Sequence, residues 1–299
     1  MALGNSMGIG IPMVQLGLGG GGAVIDDRFI ISVKTDNAGG SADNQFTLPT
    51  TGGGYNYDIE TSDGQTITGN TGNTIITFPS PGIYDIMISG DFPRYRGIYS
   101  PDPRKLIDIK NWGTNPWLSF DGSFDGAFMT IITAADIPNL ESVQSMQNMF
   151  GNTAYNLQGI PNIENWNISN VTSTRGMFSQ SSIIINPQFP IDLSSWDTSS
   201  LIDMRGMFNT VQQPTVLIFD LSNWDISNVT DLNNLFRTGG FASVALYNNT
   251  LISWALQNVN NNLNVNFGNS QYTLGGAAET ARNTLINTYG WTITDGGGI

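Results

Sequence analysis

The sequence contains no cysteine and no histidine among its 299 residues. The absence of cysteine excludes disulfides, thiolate nucleophiles and cysteine-ligated metal sites. The absence of histidine removes the most frequent general base and the most frequent ligand of transition metals. Carboxylates, hydroxyls and a few amines are left for chemistry, so an enzyme would have to work through paired carboxylates, as glycosidases do.

Charge is scarce and mostly negative. Only 12% of the residues are charged, and the net charge is -13. This balance argues against a nucleic-acid partner, because binding a polyanion requires lysine and arginine to neutralise phosphates. Five of the eleven basic residues fall in one short segment: Arg94, Arg96, Arg104, Lys105 and Lys110. We interpret this segment as a domain junction, and the alternative is a basic binding patch.

Long hydrophobic runs are also missing. A membrane span needs about 20 predominantly apolar residues, and glycines and Pro12 interrupt the apolar residues near the N-terminus. Because the first basic residue is Arg28, the segment also lacks the basic region of an export signal. The sequence therefore predicts neither a signal peptide nor a membrane span.

Residues 1–26 are either a flexible tail or an anchoring arm. The glycine run at 17–22 lacks the lysine and hydroxyl residue of a phosphate-binding loop, so we interpret it as a hinge. The apolar residues before it are too numerous for a well-solvated linker. We therefore predict an arm that a partner buries, formed by Met7, Ile9, Ile11, Met13, Val14, Leu16 and Leu18.

Apolar residues nevertheless make up 39% of the chain, which is enough to fill real cores. Between residues 27 and 92, six short runs rich in β-branched and aromatic residues are separated by Gly, Pro, Asn and Asp, which predicts a β-sandwich. The region resembles the PKD-type Ig-like module through an Asp-Gly turn at 63–64 and the Pro-Gly-Ile-Tyr sequence at 81–84. It departs from that module at Thr61-Ser62, where Trp-Gly is frequent. The resemblance implies a spacer or stalk.

Three near-copies of one thirteen-residue sequence follow: WNISNVTSTRGMF at 166–178, WDTSSLIDMRGMF at 196–208 and WDISNVTDLNNLF at 224–236. Two more divergent units precede these copies. The phenylalanines that close the successive units are 26, 28, 30 and 28 residues apart, a period typical of repeat proteins; they are Phe124, Phe150, Phe178, Phe208 and Phe236. Within a unit, Val229, Leu232, Leu235 and Phe236 share one helical face. An apolar run such as 216–221 or 183–186 precedes the tryptophan. Each unit is therefore predicted to be a strand, a bend at the tryptophan and a short helix.

Stacking of such units would bury their shared apolar positions in one continuous core. The predicted core residues are Phe124, Val143, Met146, Met149, Phe150, Trp166, Val171, Met177, Phe178, Trp196, Met204, Met207, Phe208, Trp224, Val229, Leu232, Leu235 and Phe236. Arg175 and Arg205 occupy the same position in successive units, so we predict that they form a surface ladder with the capacity to bind an anionic glycan. A strand, a helix at 277–289 and a final strand predict a C-terminal capping unit.

The string LIDIKNWGTNPWLSF, followed by ITAADIPNLESVQSMQNMF and the repeats, is similar to the BspA-like leucine-rich-repeat family of surface proteins across residues 105–295. The resemblance implies a leucine-rich-repeat solenoid used for adhesion or display. Bacterial members normally carry an export signal or a lipobox cysteine, which this sequence lacks. Phage virion fibre and decoration proteins of this appearance have glycine-rich N-termini without a signal.

The predicted fold is multidomain, with an N-terminal Ig/PKD-like β-sandwich followed by an α/β leucine-rich-repeat solenoid and a C-terminal α/β cap. The domain boundaries are an anchoring arm at 1–26, the sandwich at 27–93, a junction at 94–110, the solenoid at 111–256 and the capping unit at 257–299. The DGSFDG sequence at 121–126 offers two carboxylates but lacks the closing Glu of a twelve-residue calcium loop. We predict no metal, no cofactor and no catalytic residue.

The sequence thus favours a non-enzymatic structural and adhesion protein of a bacteriophage virion, located on the virion surface as a head fibre, decoration or tail-fibre protein. Its expected partners are capsid or tail proteins through the N-terminal arm, a host-surface glycan or protein, and two further copies of itself in a homotrimer. The alternatives are a cellular BspA-like adhesin and, third, a polysaccharide-degrading enzyme.

Overall fold

The computed structural model describes residues 26–153, 157, 159–181, 191–210 and 215–299. The predicted anchoring arm and the predicted strand at 183–186 lie outside the described residues. Neither described helix has the length and apolarity needed to cross a lipid bilayer.

The N-terminal part of the described chain is built from β-strands. The six strands that the sequence predicts here are present, and a seventh follows them. The strands are β1 (Phe29–Lys34), β2 (Gln45–Leu48), β3 (Asn56–Thr61), β4 (Thr66–Asn70), β5 (Thr74–Thr77), β6 (Ile83–Asp91) and β7 (Leu106–Asn111). Alternation of buried and exposed side chains along β3 places Tyr57, Ile59 and Thr61 on the inner face, as the two-residue period of a strand requires.

These strands form two antiparallel sheets. The larger has the order β4-β3-β6-β1-β7, and the smaller pairs β2 with β5. Strand β7 lies in the segment assigned to a junction, and it pairs with β1 at the edge of the larger sheet. Phe29 on β1 contacts Trp117 edge to face, with ring centroids 4.9 Å apart, so the aromatic core continues from the sheets towards the repeats.

The repeats are joined to one another by backbone hydrogen bonds. Parallel bridges link Ser145 to Ser173, Ser173 to Asp203, and Asp203 to Asp231. Further along each unit the amide of one closing phenylalanine donates to the next unit; for example, Phe178 N donates to Met207 O at 3.0 Å. The neighbouring unit therefore supplies partners for several backbone amides of each described turn.

The fold class predicted from the sequence is wrong. The described residues consist mostly of β-strands and turns with two α-helices, and they contain no leucine-rich-repeat solenoid of alternating strands and helices closed by an α/β cap. The helix predicted within each repeat is absent because one residue in its middle has a positive φ: Asn148 (51°), Gly176 (61°), Gly206 (62°) and Asn234 (54°). A residue in the left-handed region interrupts an α-helix, and glycine and asparagine are the residues that adopt it most readily.

The C-terminal part contains both α-helices. The chain passes through β8 (Thr215–Leu217), β9 (Gly239–Phe241), α1 (Val244–Ala255), β10 (Asn264–Asn266), α2 (Ala277–Asn287) and β11 (Thr292–Thr294). Strand β8 pairs in parallel with β9, and β10 pairs in parallel with β11. Ser243 caps α1, because its side chain accepts a hydrogen bond from the amide of Leu246. The sequence predicts α2 but not α1.

Candidate functional site: the exposed side of the repeats

The eighteen predicted core residues of the repeats are all buried in the structure, with at most 3% of any of them exposed. Their closing phenylalanines form one continuous file. Ring centroids are 5.6 Å apart from Phe124 to Phe150, 6.1 Å from Phe150 to Phe178, 6.2 Å from Phe178 to Phe208 and 5.6 Å from Phe208 to Phe236. These side chains cannot contact a ligand, so they hold the repeats together.

The polar residues of the repeated sequence are also used within the fold. The carboxylate of Asp197 accepts hydrogen bonds from the amide and the hydroxyl of Ser199, and these bonds lower the pKa of Asp197. The side-chain amide of Asn228 donates to Ser199 O at 2.8 Å, in the preceding unit. Thr230 donates to Ile202 O at 3.3 Å in the same way. The sequence is therefore repeated because its apolar and polar residues both bind one unit to the next.

Several positions of each repeat lie on the outside, and one of them carries an arginine in two successive units. We call the row formed by Gln147, Arg175, Arg205 and Asn233 the exposed row. Backbone bonds place its members next to one another, because Gly176 N donates to Arg205 O at 2.8 Å and Gly206 N donates to Asn233 O at 3.0 Å. Arg175 and Arg205 are exposed, and the other two are partly exposed. The structure thus brings the two predicted arginines together on adjacent units.

The two arginines differ in their electrostatic surroundings. Arg205 Nε lies 3.2 Å from Asp231 Oδ2, in a pair whose side chains are 43% and 27% exposed. Arg175 forms no ion pair with any other residue that the structure describes. An exposed pair of this kind contributes about 0–1 kcal/mol to stability. Arg175 therefore presents a guanidinium that no described residue neutralises, and the row as a whole offers donors and acceptors for hydrogen bonds.

The two carboxylates of the DGSFDG sequence have partners in the protein. Asp121 Oδ2 lies 3.6 Å from Arg96 Nη1. Asp125 accepts a hydrogen bond of 2.9 Å from the amide of Asn152, and burial raises its pKa. Within the described ranges, no group of three or more acidic residues is placed to hold a metal ion.

Lys105 of the basic segment is completely buried. Four oxygens that can accept from its three N–H groups lie within 3.1 Å of Nζ: the carbonyl and hydroxyl of Ser41 and the carbonyls of Ala42 and Gln45. Asp102, also fully buried, lies 3.8 Å from the same Nζ. This lysine fixes the turn before β2 and is not available to a partner.

Two further members of the basic segment also have partners. Lys110 Nζ lies 2.7 Å from Asp85 Oδ2. The guanidinium of Arg104 lies over the ring of Phe128, 5.0 Å from its centroid. Lys105, Lys110 and Arg104 therefore contribute to the fold. The two arginines at the start of the segment, Arg94 and Arg96, are described below.

Reasoning from the sequence missed a polar network near the C-terminus. Asp295, whose side chain is 3% exposed, accepts hydrogen bonds from Tyr247 Oη at 2.8 Å and from Arg282 Nε at 2.8 Å. Burial, together with the nearby Asp295 carboxylate, raises the pKa of Tyr247. The three residues come from α1, α2 and the end of β11, so no local sequence pattern reveals them. The network connects the C-terminal elements to one another.

The family described as "Mycoplasma protein of unknown function, DUF285" matches residues 104–187 and 144–274, which together span more than half of the chain. The match agrees with the BspA-like resemblance at the level of a surface repeat protein. It supports neither the PKD/Ig-like module nor a phage fibre. The chain matches no curated protein and no solved structure.

Proposed function

Since the chain belongs to the DUF285 family, we propose that it is a non-enzymatic surface-display protein whose repeats bind a protein or glycan on a host surface. The observation that carries this proposal is the exposed row. The repeats bury side chains at the same positions in every unit, but they vary between Gln, Arg, Arg and Asn at this outward-facing position.

The geometry of the row suits contact with an extended ligand. Neighbouring units joined by backbone hydrogen bonds lie about 4.8 Å apart, so successive side chains of the row can contact successive groups of a polymer. Arginine binds carboxylates with two parallel hydrogen bonds and is enriched among the residues that dominate binding energy. Arg175, which lacks an ion-pair partner among the described residues, is the residue we expect to contribute most.

We also propose that the protein belongs to a virion surface, where residues 1–26 attach it to a capsid or tail protein and three copies associate. The support for this location is the apolar composition of that segment, from Met7 to Leu18, and its glycine run at 17–22. Closed symmetric association is the usual state of soluble homo-oligomers.

Binding through the exposed row is tested with fluorescently labelled protein on a panel of bacterial cells, using a strain that the unaltered protein binds. The double variant Arg175→Gln, Arg205→Gln should reduce cell binding by about tenfold or more, since hydrogen bonds to charged groups contribute about 1.5–3 kcal/mol each. Arg237→Gln, at another exposed arginine, is the matched control and should bind normally. Equal binding by both variants, with unchanged thermal unfolding, would contradict the proposal.

The location is tested by immunogold electron microscopy of purified particles and of whole cells. Label on virions, lost when residues 1–26 are deleted, supports the attached virion protein. Label confined to the cell envelope supports the second candidate, a cellular adhesin, which the family match favours. New reducing ends after incubation with capsule or cell-wall glycan would instead indicate a polysaccharide-degrading enzyme.

A further inference from the structure

A cavity of about 360 Å³ lies between the N-terminal sheets and the first turns of the repeat region. The loop at 51–53 forms one wall. Arg94 and Arg96, which follow β6, form the second wall, and Ser119 and Asp121 form the third. None of these residues belongs to the exposed row, so the cavity is a separate feature of the molecule.

Hydrogen bonds fix the walls of this cavity in place. Tyr55 Oη accepts from Thr51 N at 2.9 Å and donates to Arg94 O at 2.9 Å, which joins the first wall to the second. Leu118 N donates to Pro93 O at 3.0 Å and joins the chain next to the second wall to the chain next to the third. The cavity is therefore formed before any ligand arrives, which lowers the entropic cost of binding.

The two arginines of the cavity are poorly neutralised by the protein. The side chain of Arg94 forms no hydrogen bond or ion pair within the described part of the chain. Arg96 Nη1 lies 3.6 Å from Asp121 Oδ2, which is longer than a hydrogen bond. Arg96 Nε is buried and has no hydrogen-bond partner among the described residues. Two cations thus face one carboxylate, although the chain as a whole carries a net charge of -13.

The guanidinium of Arg96 is held in position by an aromatic ring. It lies 4.9 Å from the ring centroid of Tyr99, a distance at which a cation is attracted to the face of the ring. This contact keeps the guanidinium beside the cavity, where its terminal nitrogens can donate to a group that enters.

We propose that this cavity binds an acidic sugar unit, that is, a ring bearing one carboxylate and several hydroxyls. The planar forks of Arg94 and Arg96 match a carboxylate in two parallel hydrogen bonds. Asp121 and Ser119 offer acceptors for sugar hydroxyls, and the negative charge of Asp121 disfavours a doubly charged phosphate. A volume of about 360 Å³ falls within the range of small-ligand sites.

The proposal is independent of the function proposed for the repeats, because the two sites share no residue. It is tested by calorimetric titration of the full chain with trigalacturonate, with the neutral trisaccharide maltotriose and with inorganic phosphate. We expect trigalacturonate to bind at least about tenfold more tightly than either of the others, as one charge-assisted contact implies. Equal affinity for maltotriose, or tighter binding of phosphate, would overturn the proposal.

Two variants test whether the ligand binds in the cavity. Arg94→Gln should weaken trigalacturonate binding by about tenfold or more, and the exposed Arg237→Gln should leave it unchanged. On the opposite wall, Asp121→Asn should shift the preference from trigalacturonate towards phosphate, and this second variant keeps the test valid if Arg94→Gln does not fold. Unaltered affinities in both folded variants would show that the ligand binds elsewhere and would refute the assignment.

Discussion

The indole Nε1 of Trp196 donates a hydrogen bond of 2.9 Å to the backbone carbonyl of Ile163, in the preceding repeat. Trp224, Trp254 and Trp291 form the same bond 31 to 33 residues back along the chain. Trp166 differs, because its Nε1 is buried without a partner among the described residues. The tryptophans of the repeats therefore offer a matched comparison.

Replacing Trp196 by Phe should destabilise the protein more than replacing Trp166 by Phe. Both side chains are 3% exposed, so both variants lose a similar buried area. Only Trp196→Phe also loses a hydrogen bond, which contributes about 0.5–1.5 kcal/mol. Urea unfolding followed by circular dichroism measures the difference, and equal losses would show that the bond contributes nothing.

Replacing Gly176 by Ala should cost more stability than replacing Gly206 by Ala. Both glycines have φ close to +60°, where a side chain costs about 1–2 kcal/mol. A β-carbon at position 176 would also collide with Oδ1 of Asn148, whereas one at position 206 meets only ordinary contacts of 3.6 Å or more. Free energies of unfolding from chemical denaturation test the order. Gly206→Ala as the more harmful change would contradict this description of the turns.

Replacing the buried Lys105 by Met should destabilise the protein by about 3–5 kcal/mol, because the surrounding carbonyls and Asp102 would lose their charged partner. Lys34→Met is the control. Lys34 pairs with Asp36 at 2.7 Å, but both side chains are about 40% exposed, so this variant should lose about 1 kcal/mol or less. Similar melting temperatures for the two variants would mean that Lys105 does not stabilise its turn.

Above pH 10 the Tyr247→Phe variant should lose stability less steeply than the unaltered chain. Burial beside Asp295 raises the pKa of Tyr247 in the folded state, whereas in the unfolded chain it titrates near 10. Because the pKa is higher in the folded state, the contribution of Tyr247 to the free energy of unfolding is complete below the unfolded-state pKa. Above that pKa the contribution falls by about 1.4 kcal/mol per pH unit for one proton.

Thermal unfolding between pH 8 and 11 measures that slope. Tyr99→Phe, at a tyrosine that is 77% exposed, is the matched control for the loss of one phenol. Identical slopes for Tyr247→Phe and the unaltered chain would show that Tyr247 does not carry the effect.

The N-terminal strands could be predicted from the sequence because their signals are local. Alternating apolar residues and turn residues determine where β1 to β6 begin and end. Strand β7 was not predicted, because the segment that contains it is rich in lysine and arginine. Its position also depends on pairing with β1, which is distant in the sequence. The inward direction of the repeated apolar residues also follows from their period alone.

The conformation of the repeats could not be read from the same period. Val229, Leu232 and Leu235 have helical spacing, yet the positive φ of Asn234 excludes a continuous helix. In the sequence, glycine or asparagine at that position in every unit was the available signal, because these residues tolerate the left-handed region. The turns are then stabilised by hydrogen bonds to neighbouring units, which a single unit does not reveal.

The polar sites were hardest to anticipate. Arg175 and Arg205 are one repeat apart, so their position in the period predicts that they are neighbours. The cavity brings together residues as distant as Thr51 and Asp121, and the network around Asp295 joins residues 48 positions apart. Contacts of that range depend on the tertiary structure, and composition shows only that basic residues cluster before the repeats.

The bridges from Ser145 to Asp231 have a consequence for how such a protein can change in length. Each unit offers the following one the same pattern of amides and carbonyls that it meets on its other side. Duplication or loss of an entire unit therefore preserves these bonds between the described parts of neighbouring units, while an insertion inside a turn displaces the residue with positive φ. Gene rearrangement can thus lengthen or shorten the exposed row in steps of about 4.8 Å while the apolar positions remain stacked.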